Sequence, residues 1–225
     1  MLRKIIFCLL VAVIPSLGYT DEVRFYTVEV VVFENLDPQA RQSENWPTEI
    51  KFTLPNPLVE LGTTAEQKFG FRTQPKSGYR LLQEIKSLEN SNQYRVLLHT
   101  AWRQPGLETQ SALPVHLTAE IKPASPPATT PASAVSTMEA SSKTLEGTVK
   151  IILGRFLHTE VDLIYRDTQP IPAPSSAPIP ANSKAIVGQS PPVYRLNQTR
   201  KMRSKEMHYL DSPVLGMLVY ITPVE

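Results

Sequence analysis

Val214–Thr222 reads VLGMLVYIT, nine residues without a charge. A short run this apolar, rich in branched and aromatic side chains, predicts a strand placed centrally in its sheet. Just before it, Asp211-Ser212-Pro213 is good turn chemistry, and Thr199–Leu210 leads into that turn, so the C-terminus predicts a hairpin. Phe25–Phe33 (FYTVEVVVF) has the same character, with Glu29 as its only charge. Tyr94–Trp102 alternates, with Tyr94, Val96, Leu98, Thr100 and Trp102 expected on one side and Arg95, Leu97, His99 and Ala101 on the other. Val115–Ile121 is a shorter strand of the same kind. Leu145–Arg166 is too long for an ordinary strand and changes phase midway; a bulge at Gly154 and a hairpin turning at His158-Thr159 both satisfy it. Tyr79–Asn90 is the one clear helix, with Leu81, Leu82, Ile85 and Leu88 on one face, Ser77 as N-cap and Asn90-Ser91-Asn92 as terminator. The sum predicts an α+β fold: a mainly antiparallel sheet of six to seven strands with one principal helix and long Pro-rich loops.

Outside these elements the signals are different. Glu34–Lys76 carries turn after turn (Asp37-Pro38, Trp46-Pro47, Leu54-Pro55-Asn56-Pro57) and reads as an irregular connection pinned by Trp46. Pro123–Lys143 and Thr168–Pro192 are low in complexity and together hold 11 of the 21 prolines. Their composition cannot bury enough apolar surface to offset ordering, so they read as disordered inserts at about 123–143 and 168–192 within a single domain, 19–225. Residues 1–18 (MLRKIIFCLLVAVIPSLG) have the basic start, short apolar run and small-residue end of a secretory leader, with cleavage expected after Gly18. The expected mature chain is exported, has no cysteine and contains no apolar stretch of membrane-spanning length. Without Arg3 and Lys4 it carries 21 basic and 21 acidic residues. That balance argues against a nucleic-acid partner, which calls for a marked basic excess.

Several residues could carry chemistry. His99, His158 and His208 each follow an apolar residue in an expected strand, and three imidazoles brought together would make a metal site. Glu29, Glu146 and Asp162 also lie in strands and leave a hydrolase open, although no G-x-S-x-G elbow or glycine-rich phosphate loop is present. The most suggestive local feature is basic: Arg200, Lys201, Arg203 and Lys205, followed by His208 and Tyr209. In one continuous strand Lys201, Arg203, Lys205, Met207 and Tyr209 would share a face, as suits an anionic partner or a charged edge strand. Trp102-Arg103 at a strand end is a second candidate, for stacking on a sugar or anchoring an interface. No catalytic residue, metal ligand or cofactor is assigned.

Taken together, YTVEVVVFENLDP, ENWP, YRVLLHTAWRQP, LEGTVKIILGRFLHTEVDLIY and RKMRSKEMHYLDSPVLGMLVYITPVE resemble the CsiV family of periplasmic peptidoglycan-binding proteins. The resemblance runs from about Phe25 to the C-terminus and is interrupted by the two proline-rich stretches. It implies a periplasmic, non-enzymatic accessory factor in wall synthesis and cell division, acting with an LpoA-type outer-membrane lipoprotein that activates a class A penicillin-binding protein. On that footing one sheet face would engage glycan or stem peptide while another surface meets the lipoprotein. A pure protein adaptor without wall contact is the alternative, and a cryptic hydrolase or His-ligated metal protein is the second alternative.

Overall fold

The computed structural model describes residues 23–121, 143–167 and 191–225. The leader-like stretch and nearly all of both low-complexity stretches lie outside the described residues. The elements follow in chain order as β1 (Phe25–Asn35), α1 (Pro38–Gln42), β2 (Val59–Glu60), α2 (Thr64–Lys68), β3 (Arg72–Thr73), α3 (Leu82–Asn90), β4 (Tyr94–Pro105), β5 (Pro114–Ile121), β6 (Lys143–Leu153), β7 (Leu157–Asp167), β8 (Val193–Met202), β9 (Met207–Asp211) and β10 (Leu215–Pro223).

The strands form two five-stranded sheets, not the one sheet of six to seven strands expected. Sheet A has the order β3-β4-β1-β10-β9 and sheet B the order β2-β5-β6-β7-β8. All pairings are antiparallel except β2 with β5. The sheets pack face to face around one large core. Val28, Val30, Val32, Met217, Val219 and Ile221 of sheet A meet Val149, Val161, Leu163, Tyr165 and Leu196 of sheet B. The alternate residues of sheet A, Val31, Phe33 and Leu218, form a second core with Leu81, Ile85 and Leu88 along α3. Sheet A is therefore apolar on both faces, which explains why β1 and β10 read as unbroken apolar runs. Among the described residues sheet B is covered on one face only, and β6 and β7 accordingly alternate strictly between buried and partly exposed positions over most of their length.

Several expectations change at this level. Trp102 is fully buried in the core between the sheets, and its Nε1–H donates to Gln104 Oε1 at 2.7 Å. It is therefore neither a strand-end platform nor an interface anchor. The alternation expected along β4 also breaks. The register with β1 shifts between Val32 and Phe33, opposite Leu98 and Val96. The extra residue, Leu97, turns into the inter-sheet core, while Tyr94 and Val96 face the α3 side. Leu145–Arg166 is a hairpin, β6–β7, with its turn at Gly154–Phe156 instead of His158-Thr159, which lie inside β7.

The helix starts at Leu82, and Ser77 sits in the 3-10 turn Lys76–Gly78 instead of capping it. The capping role falls to the buried Glu29 of β1, whose carboxylate accepts from the Arg80 and Leu81 amides at 2.8 and 3.0 Å. Leu82 faces solvent, because Leu81, Ile85 and Leu88 already fill the contact stripe. Trp46 packs edge-on against Tyr194 and donates its Nε1–H to Arg41 O, which fastens the 34–76 connection to sheet B. Lys143 belongs to β6 and is buried, although composition placed it in the first insert.

Candidate functional site

Strand pairing gives the sandwich two unlike ends. Lys143 opposite Asp167 marks one, and Leu153 opposite Leu157, itself opposite Met202, marks the other. Main-chain bonds from Gly106 to Arg24, from Leu153 to Leu107, from Lys205 to Ile221 and from Val224 to Phe25 gather the start of β1 and the ends of β4, β6 and β10 at that second end.

That second end is basic. Arg24, Arg103, Arg155, Arg200 and Lys201 have no ion-pair partner among the described residues, and all but the half-buried Arg103 are exposed; Arg72 beside them is near enough to Glu66 to help hold that carboxyl below its ordinary value. Aromatic rings brace several of them. Lys201 Nζ stands 3.3 Å from the centroid of Phe156, the Arg155 guanidinium lies 5.5 Å from the same ring, and Arg103 lies 4.2 Å over Phe25. Cations over ring faces keep their charge at the surface and lose less freedom on meeting an anion. Phe156 is itself 41% exposed. Sequence reasoning found Arg103, Arg200 and Lys201 but missed Arg155 and Phe156, which fall in a hairpin turn that reads as the middle of a long strand.

The continuous basic strand expected from Lys201 to Tyr209 does not exist. β8 ends at Met202 in sheet B, the chain turns at Arg203–Glu206, and β9 begins at Met207 in sheet A. Lys201 therefore shares no strand face with Met207 or Tyr209. Arg203 and Lys205 lie in the turn, in loose exposed pairs with Glu206 and Glu225, each at 3.7 Å. His208 accepts the Arg203 N–H at Nε2, 3.1 Å away. Tyr209 lies on the outer face of sheet A, near-parallel to Phe33.

The residues weighed for metal or hydrolysis are dispersed. His99 bonds Glu29 at 2.8 Å beneath α3, His158 faces Lys201 across β7 and β8, and His208 holds the β8–β9 turn. Burial pushes the Glu29 carboxyl up, but hydrogen bonds from His99 and the Leu81 and Arg80 amides outweigh it, and the group ends below its ordinary value. Asp162 is held bidentately by Arg195, with both contacts at 2.7 Å, and Glu146 stands between Arg166 and His116. Among the described residues no three His, Cys, Asp or Glu side chains are grouped to hold a metal, and no described helix is long and apolar enough to cross a membrane.

The family model described as "Peptidoglycan-binding protein, CsiV" matches residues 5–224. The chain belongs to the CsiV family. The match spans both sheets and both low-complexity stretches, so the CsiV pattern covers the basic end and everything that positions it. No curated protein and no solved structure matches the chain.

Proposed function

We propose that this CsiV-family chain is a non-enzymatic, periplasmic peptidoglycan-binding accessory factor, and that its basic end engages carboxylates of the wall's stem peptides. The observation that carries this reading is the segregation of charge. A sequence with nearly equal numbers of acids and bases leaves a set of unpaired cations at one end of the sandwich, two of them stacked on an exposed phenylalanine. Guanidinium and ammonium groups held this way suit carboxylate recognition. The proposal includes export by the Met1–Gly18 leader, a single domain over 19–225 with its two inserts, and action beside an LpoA-type outer-membrane lipoprotein during wall synthesis and division. Those points are supported by the leader-like sequence and the family resemblance.

The test is co-sedimentation of residues 19–225 with purified sacculi across a salt series, alongside the triple variant Arg155→Ala, Arg200→Ala, Lys201→Ala. The wild-type chain pellets and salt releases it. The variant, which loses three charge-assisted contacts, binds at least about tenfold more weakly. Unchanged binding by the variant would remove the basic end from the mechanism. Binding to the purified lipoprotein with none to sacculi would make the protein an adaptor instead.

A further inference from the structure

A second feature lies at the opposite end of sheet A, on its outer face beyond the footprint of α3. Two pockets of about 460 and 380 Å³ adjoin there and share Asn35 and Tyr94 in their walls. The floor is aromatic. Phe33 lies flat against β10 because Gly216, its partner across the pairing, has no side chain; a Cβ there would strike the Phe33 ring. Tyr94 meets Phe33 edge-on at 5.4 Å, and Tyr209 lies parallel to it at 6.1 Å with an interplanar angle of 7°. Tyr209 is held in this orientation while 44% exposed.

The walls are polar and carry no lysine or arginine. The hydroxyls of Tyr94 and Tyr209, the side-chain amides of Asn92 and Gln93 and the carboxylate of Asp211 have no hydrogen-bond partner among the described residues, so donors and acceptors stand free around the rings. Burial, with the nearby Asp211 charge, pushes the Tyr209 hydroxyl up to about 12. Asp37 and Asp211 repel a carboxylate ligand. An aromatic shelf ringed by free hydroxyl, amide and carboxylate groups suits an uncharged polyhydroxyl ring, whose C–H face packs on the aromatic while its hydroxyls are both donated to and accepted from.

We infer that this Tyr94–Tyr209 groove is a saccharide subsite, binding N-acetylated sugar units of the glycan strand. It rests on the peptidoglycan reading above and deepens it, by assigning glycan and stem peptide to opposite ends of one molecule.

The experiment measures binding of the 19–225 chain to three probes: intact sacculi, glycan strands stripped of peptide by an amidase and then amidated at the lactyl carboxylates this exposes, so that they carry no charge, and free stem peptide. The wild-type chain binds stripped strands. Tyr209→Ala weakens that binding about tenfold through loss of the ring, and Tyr209→Phe, which keeps the ring, loses less. The triple basic-end variant keeps its affinity for stripped strands. Asp211→Asn, a surface change that leaves packing alone, carries the test if Tyr209→Ala fails to fold, and it lowers strand affinity several-fold by removing a charged acceptor. Binding to intact sacculi but not to stripped strands would overturn the saccharide site and leave the peptidoglycan reading standing. No binding to either would overturn both. Loss of stem-peptide affinity in Asp211→Asn, with strand affinity unchanged, would make the groove an ammonium site and overturn the inference.

Discussion

At one end of sheet B, Lys143 and Asp167 are buried 2.9 Å apart, with Arg41 3.0 Å from Asp167 and bonded to the fully buried Glu34. At the other end, Arg155, Arg200 and Lys201 stand exposed without an ionic partner among the described residues. Ten residue steps of roughly 3.4 Å separate the two along β6. The first cluster joins β1, α1, β6 and β7, and with Trp46 and Tyr194 beside it, it locks sheet A to sheet B. Its charges are satisfied internally, which leaves little for a ligand to gain. The second set touches the fold only through the Phe156 ring, which Lys201 and Arg155 face, and its charges are free to act on something else. Charge density alone does not single out a candidate surface; charges left without an ionic partner do.

The comparison is broken or sharpened by mutation at each end. Glu34→Ala strands Arg41, and with it the buried Lys143, without a full complement of negative charge, and should cost about 3–5 kcal/mol, read from urea denaturation. A loss below about 1 kcal/mol would mean that the cluster is wetter than its burial implies. Trp102→Ala should cost a similar amount, about 3–5 kcal/mol, and leave sacculus binding intact in whatever fraction remains folded. Loss of binding by folded protein would restore Trp102 to the site.

Glu29→Gln weakens the link between β1, His99 and the start of α3 and should cost about 1–3 kcal/mol. Its pH dependence has a definite sign. The folded carboxyl lies below its ordinary value of 4.5, so Glu29 stabilises the fold fully above that value. The contribution is lost as pH falls through the lower, folded value. The variant's stability should therefore fall less steeply below pH 4.5 than the wild type's, and parallel curves would assign acid sensitivity to other groups. At the small end of the scale, Lys201→Ala and Arg200→Ala should each change stability by less than about 0.5 kcal/mol while weakening sacculus binding. Destabilisation comparable to that of Glu34→Ala would erase the distinction between the two ends.

Much of sheet A was legible, because β1 and β10 are buried on both faces and need apolar residues at every position. The split into two sheets was not legible, since a strand's sequence records how it is covered and not which neighbour it pairs with. The β8–β9 turn left no signal for a related reason. Lys205 adopts a left-handed backbone (φ 63°) where a glycine would have marked the turn, so four cations in six residues looked like one strand. The flipped phase at Leu97 hid the true direction of Trp102, and a hairpin turn without Asn-Gly or Asp-Gly hid Arg155 and Phe156. At the groove, Tyr209 stood out by itself, but Asn92 carried only the signal of a helix terminator and Gln93 carried none. What joins them is tertiary.

The way β5, β6, β7 and β8 meet has a consequence for how such a chain can vary. Ile121 pairs with Lys143 across the first insert, and Arg166 pairs with Val193 across the second. Both stretches thus depart and return on adjacent strands at the same end of sheet B, away from the basic end. Antiparallel pairing fixes the two anchor points about 5 Å apart, whatever length of chain lies between them. Each doubling of that length costs only about 0.6 kcal/mol in closure entropy. These two positions are therefore where lineages can add or delete sequence almost without penalty. A truncated relative with two tight turns in their place should superpose on this sandwich strand for strand.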